Sequence, residues 1–162
     1  MLSTQFEVLT PLTKIHRISR QISASNGFDM EPGRWVKLDG SGRAIAFDTS
    51  VKPFKTDVVE LSISSAISSS NGLSEYEAND TKVGRITTIA TPGTRILIGL
   101  GLLKGAPAVG SKVTISETTV TDPNLDVSVA GGFEVAAAGM VVGIITGVGE
   151  MVEIRLTEPT WV

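Results

Sequence analysis

The stretch Gly105-Ala-Pro-Ala-Val-Gly110-Ser111-Lys112 has the outline of a phosphate-binding loop, with two glycines at the correct separation. Such a loop needs Lys and then Ser or Thr after the second glycine, so that the amine reaches the outer phosphates and the hydroxyl holds magnesium. Here Ser111 precedes Lys112, and the order aims both groups the wrong way. The next residues, Val113-Thr114-Ile115-Ser116, alternate apolar and polar and are mostly β-branched, which favours a strand where a nucleotide site needs a helix. The chemistry expected of this stretch is therefore structural.

Other reactive groups are sparse. The single histidine, His16, stands among Lys14, Arg17 and Arg20 in the least regular part of the chain, and nothing there makes it a general base. There is no cysteine, hence no thiolate nucleophile, disulfide or Cys-based zinc site. No Gly-x-Ser-x-Gly elbow is present. Asp122-Pro-Asn124-Leu-Asp126 opens like a calcium loop, but Val127 and Phe133 occupy the places where an EF-hand needs Gly and a bidentate Glu; Asp-Pro-Asn reads as a turn. Glu75, Glu77 and Asp80 lie together in a Ser-rich segment with no strand to fix them as an acid/base pair. Asn79-Asp80-Thr81 is a glycosylation sequon. The expectation is a protein that is not an enzyme and uses no cofactor or metal.

Composition sets the frame for these groups. The chain has 162 residues, enough for one domain with a real core, and 41% are hydrophobic. Seventeen glycines alongside abundant Val, Ile and Leu favour strands and tight turns. Aromatic residues are 5%, little stacking surface for sugar or single-stranded nucleic acid, and the net charge of −3 offers no general attraction for nucleic acid. The longest charge-free run, Val135 to Gly149, falls short of the ~20 residues that span a bilayer. The opening residues lack the pattern of a signal peptide. A soluble protein used without secretion is expected.

The elements follow from turn and alternation signals. Trp35, Val36 and Leu38, then Asp39-Gly40-Ser41-Gly42, then Ala44, Ile45 and Phe47 read as a hairpin whose Asp-Gly supplies the positive φ angles. Val59, Leu61 and Ile63 mark a second alternating run, from 58 to 67. Residues 68–82 read as a long exposed Ser-rich loop. The pattern Gly-x-x-[Val/Ile]-x-[Leu/Ile] begins at Gly33, Gly93, Gly110, Gly139 and Gly149. Each glycine makes a turn, and the residues three and five beyond it share the buried face of a strand. Residues 131–140 have room for one short helix. The predicted fold is mainly β, a single-domain barrel or sandwich with little helix.

The boundaries drawn are an N-terminal arm or peripheral element at 1–28, a β-rich domain at 29–156 and a C-terminal tail at 157–162. In the arm, Ile15, Ile18 and Ile22 have helical spacing but equally suit an extended segment docking on a neighbour. Deleting residues 1–22 is expected to leave the domain folded. Lys14, Ile15, Arg17, Ile18 and Arg20 are the candidate partner-binding residues. Trp161 joins them as a terminal anchor, with folding back toward Trp35 as the alternative.

Taken together, PGRWVKLDGSGRAIAFDTS, AVGSKVTIS and AAAGMVVGIITGVGEMVEIRL resemble the head decoration (capsid cement) proteins of tailed bacteriophages. Residues 32–50 and 106–156 carry the resemblance: a Gly-x-x-Val-x-Leu-Asp strand with its hairpin, an Ala-x-Gly-x-x-Val strand, and a closing Val-x-Ile-x-Leu strand. The resemblance implies a β-barrel-like or β-tulip-like domain on the outside of a viral head, assembled in the host cytoplasm. It implies a homotrimer that bridges major capsid protein subunits and stabilises the expanded shell, with no direct nucleic-acid or membrane contact. Another virion β-domain, from tail or baseplate, and a ligand- or carbohydrate-binding β-module are the alternative readings.

Overall fold

In the computed structural model, the described residues are 6–22, 33–47, 51–66, 85–116, 120–122, 127–129 and 131–162. Their architecture is mainly β, with two large sheets and no helix beyond the short 3-10 turns Leu12–Lys14 and Leu100–Leu102. The strands are β1 (Phe6–Val8), β2 (Arg17–Gln21), β3 (Trp35–Leu38), β4 (Ala44–Ala46), β5 (Val59–Ala66), β6 (Arg85–Ile89) and β7 (Arg95–Gly99). They continue as β8 (Leu103–Lys104), β9 (Lys112–Ile115), β10 (Val120–Asp122), β11 (Val127–Val129), β12 (Phe133–Val135), β13 (Met140–Val148) and β14 (Met151–Trp161). One sheet runs β1-β7-β14-β13-β9-β12-β8, the other β2-β6-β5-β3-β4, and β10-β11 form a separate antiparallel hairpin.

The main core draws on both sheets, as a β-sandwich requires. Trp35, Val59, Leu61 and Ile89 come from the five-stranded sheet; Ile96, Ile98, Val113, Ile115, Phe133, Val152 and Ile154 come from the seven-stranded one. Trp35 meets Phe133 edge to face across the core, ring centroids 6.0 Å apart at 72°. A second cluster, Ile22, Val36, Ala44, Ala46 and Ile86, fills the other face of the five-stranded sheet. That sheet curls over this face until its outer strands meet at one parallel bridge, Ile22 to Ala44. It is curled without being a closed barrel.

The glycine-led pattern lands on strands. Gly33, Gly93, Gly110 and Gly139 all have positive φ, and β3, β7, β9 and β13 follow them directly. Ile96, Ile98, Val113, Val152 and Ile154 are fully buried as expected. Leu38 and Ile144 are only half-buried, and for Ile144 β13 shows why. Its register against β14 shifts between Val141 and Gly143 and again between Ile145 and Gly147. Those bulges turn the chain so that Val142 and Ile145 face inward and Ile144 stays half-buried. Gly110-Ser111-Lys112 opens β9, with Ser111 N–H donating to the Ala108 carbonyl at 3.0 Å.

Several expectations are corrected. Residues 6–22 are not a peripheral arm: β1 pairs with β7 in one sheet, β2 with β6 in the other, and Phe6, Ile15 and Ile22 are buried. The isoleucines do not line a helix, because Arg17–Gln21 is extended. Residues 157–161 are not a tail but continue β14, Thr160 opposite Val141 and Trp161 opposite Met140. No helix forms in 131–140; Phe133–Val135 is a strand instead. In the β3–β4 hairpin the positive φ falls on Gly42, and Gly40 has none. The Ser-rich segment 68–82, its acidic residues and sequon, and the Asp-Pro-Asn turn at 123–126 lie outside the described residues, apart from Asp122.

Candidate partner-binding surface

The N-terminal segment crosses from one sheet to the other. Leu9 N–H donates to the Arg95 carbonyl at the end of β1, and Pro11 then leads into the turn Leu12–Lys14. Ile15 N–H closes that turn onto the Leu12 carbonyl, which drives the Ile15 side chain into the main core at 7% exposure. His16 follows, exposed, its backbone N–H donating to Thr91 Oγ1 at 3.1 Å. Strand β2 then runs as the edge of the five-stranded sheet, in unbroken register with β6 from Arg17↔Ile89 to Gln21↔Arg85.

The structure separates the six predicted residues, three of which, Arg17, Ile18 and Arg20, lie on β2. Lys14 and Arg17 are exposed and have no ion-pair partner among the described residues. Ile18 is half-buried on the opposite face from Arg17. Arg20 is committed elsewhere: its Nε and Nη2 donate to the Glu60 carboxylate at 3.0 and 2.9 Å, and Nη1 donates to the Gly42 carbonyl at 3.4 Å. Glu60 raises the Arg20 pKa, chiefly through the hydrogen bonds, with burial opposing and the carboxylate's charge adding to the rise. Ile15 is core. Trp161 belongs to the seven-stranded sheet, 38% exposed at the end of β14. The surface that survives is therefore Lys14, Arg17 and Ile18; Trp161 stands apart from it, and Arg20 and Ile15 hold the fold.

Two depressions flank Arg17. One, about 410 Å³, is lined by Ile15, Arg17, Ile18, Ser19 and Thr87. The other, about 290 Å³, is bounded by Val8 of β1 and Leu12 on one side and by Arg17, Ile63 and Thr87 on the other, so it lies between the two sheets. Beside them Arg85 donates from Nε to Ser19 Oγ at 2.8 Å and from Nη2 to the Ser19 carbonyl at 3.2 Å. The sequence flagged the cations but not the clefts. Val8, Leu12, Ile63 and Thr87 come from four elements, and no local pattern joins them.

A second exposed feature had no sequence signal either. Phe54, at 59% exposure, sits in the link between β4 and β5 beside Val58, with Lys37 Nζ 6.0 Å from the ring centroid. Asp57 accepts the Phe54 N–H and shapes that turn. Among the described residues there is no group of three or more His, Asp or Glu side chains placed to hold a metal. No helix among them is long and apolar enough to cross a membrane.

No family model matches the chain, and neither a curated protein nor a solved structure does.

Proposed function

We propose that this chain is a non-catalytic structural protein that binds the outer surface of a bacteriophage capsid and stabilises the expanded shell by bridging major capsid protein subunits. The observation that carries the reading is where the three resembling stretches fall. The first covers the β3–β4 hairpin, the second opens β9, and the third is the β13–β14 hairpin. They thus coincide with structural framework in both sheets. The exposed Arg17 on the β2 edge and Lys14 in the turn before it support attachment through a surface. Cement needs many modest contacts repeated by symmetry, and avidity then replaces any single tight site. A homotrimer on the capsid exterior belongs to the same proposal.

The test is co-sedimentation of the purified protein with expanded, undecorated capsids of its phage, with native mass measured in parallel. Saturable binding at a fixed ratio to capsid subunits, together with a shell more resistant to heat, is the expected result. A protein that stays in the supernatant at every ratio overturns the reading.

A further inference from the structure

Among the described residues, β2 is the longest of the strands at the sheet edges: β1 and β4 have three residues and β8 has two, against five in β2. A residue in a strand turns its N–H and C=O to the same neighbour, so alternate residues of β2 turn theirs to the open side. Edge strands are ordinarily blunted by proline, bulges or covering segments. Arg17–Gln21 contains no proline, and its register with β6 has no bulge. Among the described residues its far end is occupied by the Ile22–Ala44 bridge, with Arg20 Nη1 reaching the Gly42 carbonyl beside it, and Arg17–Ser19 has no strand alongside on the open side.

The charge along this edge is not that of the whole. The chain carries a net −3. Arg20, Lys37, Arg43, Arg95 and Lys104 all pair with carboxylates. Among the described residues Lys14 and Arg17 do not, and neither do Lys52, Lys55, Lys112 and Arg155, which lie outside β2 and the turn before it. Arg85, next along, spends its donors on Ser19. The two faces of β2 also differ: Arg17 and Ser19 are exposed on one, while Ile18 is half-buried on the other.

We propose that β2 accepts an extended acidic segment of a second protein as an added strand. Backbone pairing supplies the attachment, and alternate side chains supply the choice. A segment alternating acidic and apolar residues sets a carboxylate beside Arg17 and an apolar side chain beside Ile18, and a further carboxylate beyond the strand's start faces Lys14 in the preceding turn. The depressions on either side of Arg17 leave room for those side chains. This deepens the capsid-binding reading by naming the chemistry of the contact. The competing role for the same charges is to keep copies of the chain from joining edge to edge.

The probe is a capped octapeptide of alternating Val and Glu, with the Val/Lys peptide as control, offered to the intact protein up to millimolar concentration. Binding is followed by fluorescence anisotropy and by hydrogen exchange of individual amides. Expected is saturable binding of the Glu peptide alone, weakened by 0.5 M salt, with slowed exchange at amides of Arg17–Gln21. The double variant K14E/R17E, altered only at exposed positions, is expected to lose about ten-fold or more in affinity. The proposal is overturned if the Glu peptide does not bind, if the double variant binds it equally well, or if protection appears away from β2. The assay contains no capsid, so its failure is distinct from failure of co-sedimentation. Capsids that bind K14E/R17E as well as the parent remove the β2 edge and leave the cement role standing.

Discussion

Arg20 grips Glu60 in a two-toothed ion pair that reaches over an intervening strand, from β2 across β6 to β5. Thr88 of β6 completes the span, its hydroxyl donating to Glu60 Oε1 at 2.6 Å. The Glu60 side chain is 5% exposed and that of Arg20 24%. Removing one partner leaves the other charge buried without its counter-ion. Arg20→Ala is expected to destabilise the fold by about 3 kcal/mol, read by chemical denaturation. Arg20→Lys is expected to recover only part of this, because an amine cannot make the bidentate contact.

Residues 6–22 supply strands to both sheets, so truncation tests the fold before it tests binding. Phe6, Ile15 and Ile22 each withdraw an apolar side chain from water, worth about 2 kcal/mol apiece. Deleting residues 1–22 is expected to abolish cooperative unfolding, whereas K14E/R17E keeps the parent melting temperature. Circular dichroism melts of the two variants check this; a truncated chain that melts like the parent contradicts the sheet pairing described for β1 and β2.

Gly131 has φ +71°, and a Cβ there would stand 2.7 Å from the Trp35 carbonyl oxygen. Its own carbonyl accepts the Trp35 N–H at 2.9 Å. Neither the backbone angle nor the contact leaves room for a side chain. Gly131→Ala is expected to cost about 2–3 kcal/mol, measured by urea denaturation, with the loss accompanied by a change in Trp35 emission.

The carboxyl of Asp39 sits below its ordinary range, chiefly because the Arg43 backbone N–H donates to it, with Ser41 N–H and the Arg43 side chain adding to that and burial opposing. Its stabilising contribution is therefore complete above about pH 4 and is lost as the pH falls through the lowered folded-state value. Asp39→Asn is expected to lower the melting temperature at pH 7. That gap is expected to narrow as the parent becomes protonated in acid. A gap that stays constant down to pH 2 contradicts the arrangement.

Trp35 is buried and Trp161 is not, so the two report separately. In the free protein iodide is expected to quench Trp161 and spare Trp35, with Trp161→Phe removing the quenchable fraction. If Trp161 anchors the chain on capsids, that fraction becomes shielded in the pellet; unchanged quenching there removes Trp161 from the contact.

The framework was legible in the sequence where alternation and turn chemistry agreed. Val59-Leu61, Ile96-Ile98 and Val152-Ile154 each announce a buried strand face, and the glycines before β3, β7, β9 and β13 announce the turns. The N-terminal segment was not legible, for a physical reason. Ile15, Ile18 and Ile22 fit a helical spacing, yet Ile15 is placed by a 3-10 turn, Ile18 by a strand and Ile22 by a bridge to Ala44. Three different local geometries happen to share one spacing. The burial of Glu60 had no signal either: alternation with Val59 and Leu61 turns it away from the main core, and the curled sheet gives that face a second interior. The cations of the candidate surface were visible as Lys14 and Arg17. Their separation from Arg20 was not, because a partner forty residues away decides it.

Strand β14 lies between β7 and β13, although it follows every other described strand in the chain. Without it the larger sheet is two pieces, β1-β7 and β13-β9-β12-β8. During synthesis the early piece therefore waits, its β7 flank unpaired, until Met151–Trp161 leaves the ribosome and joins the halves. Assembly of this sheet waits on the last of its strands to be made, and a nascent chain stalled before β14 offers two open flanks to chaperones or to aggregation.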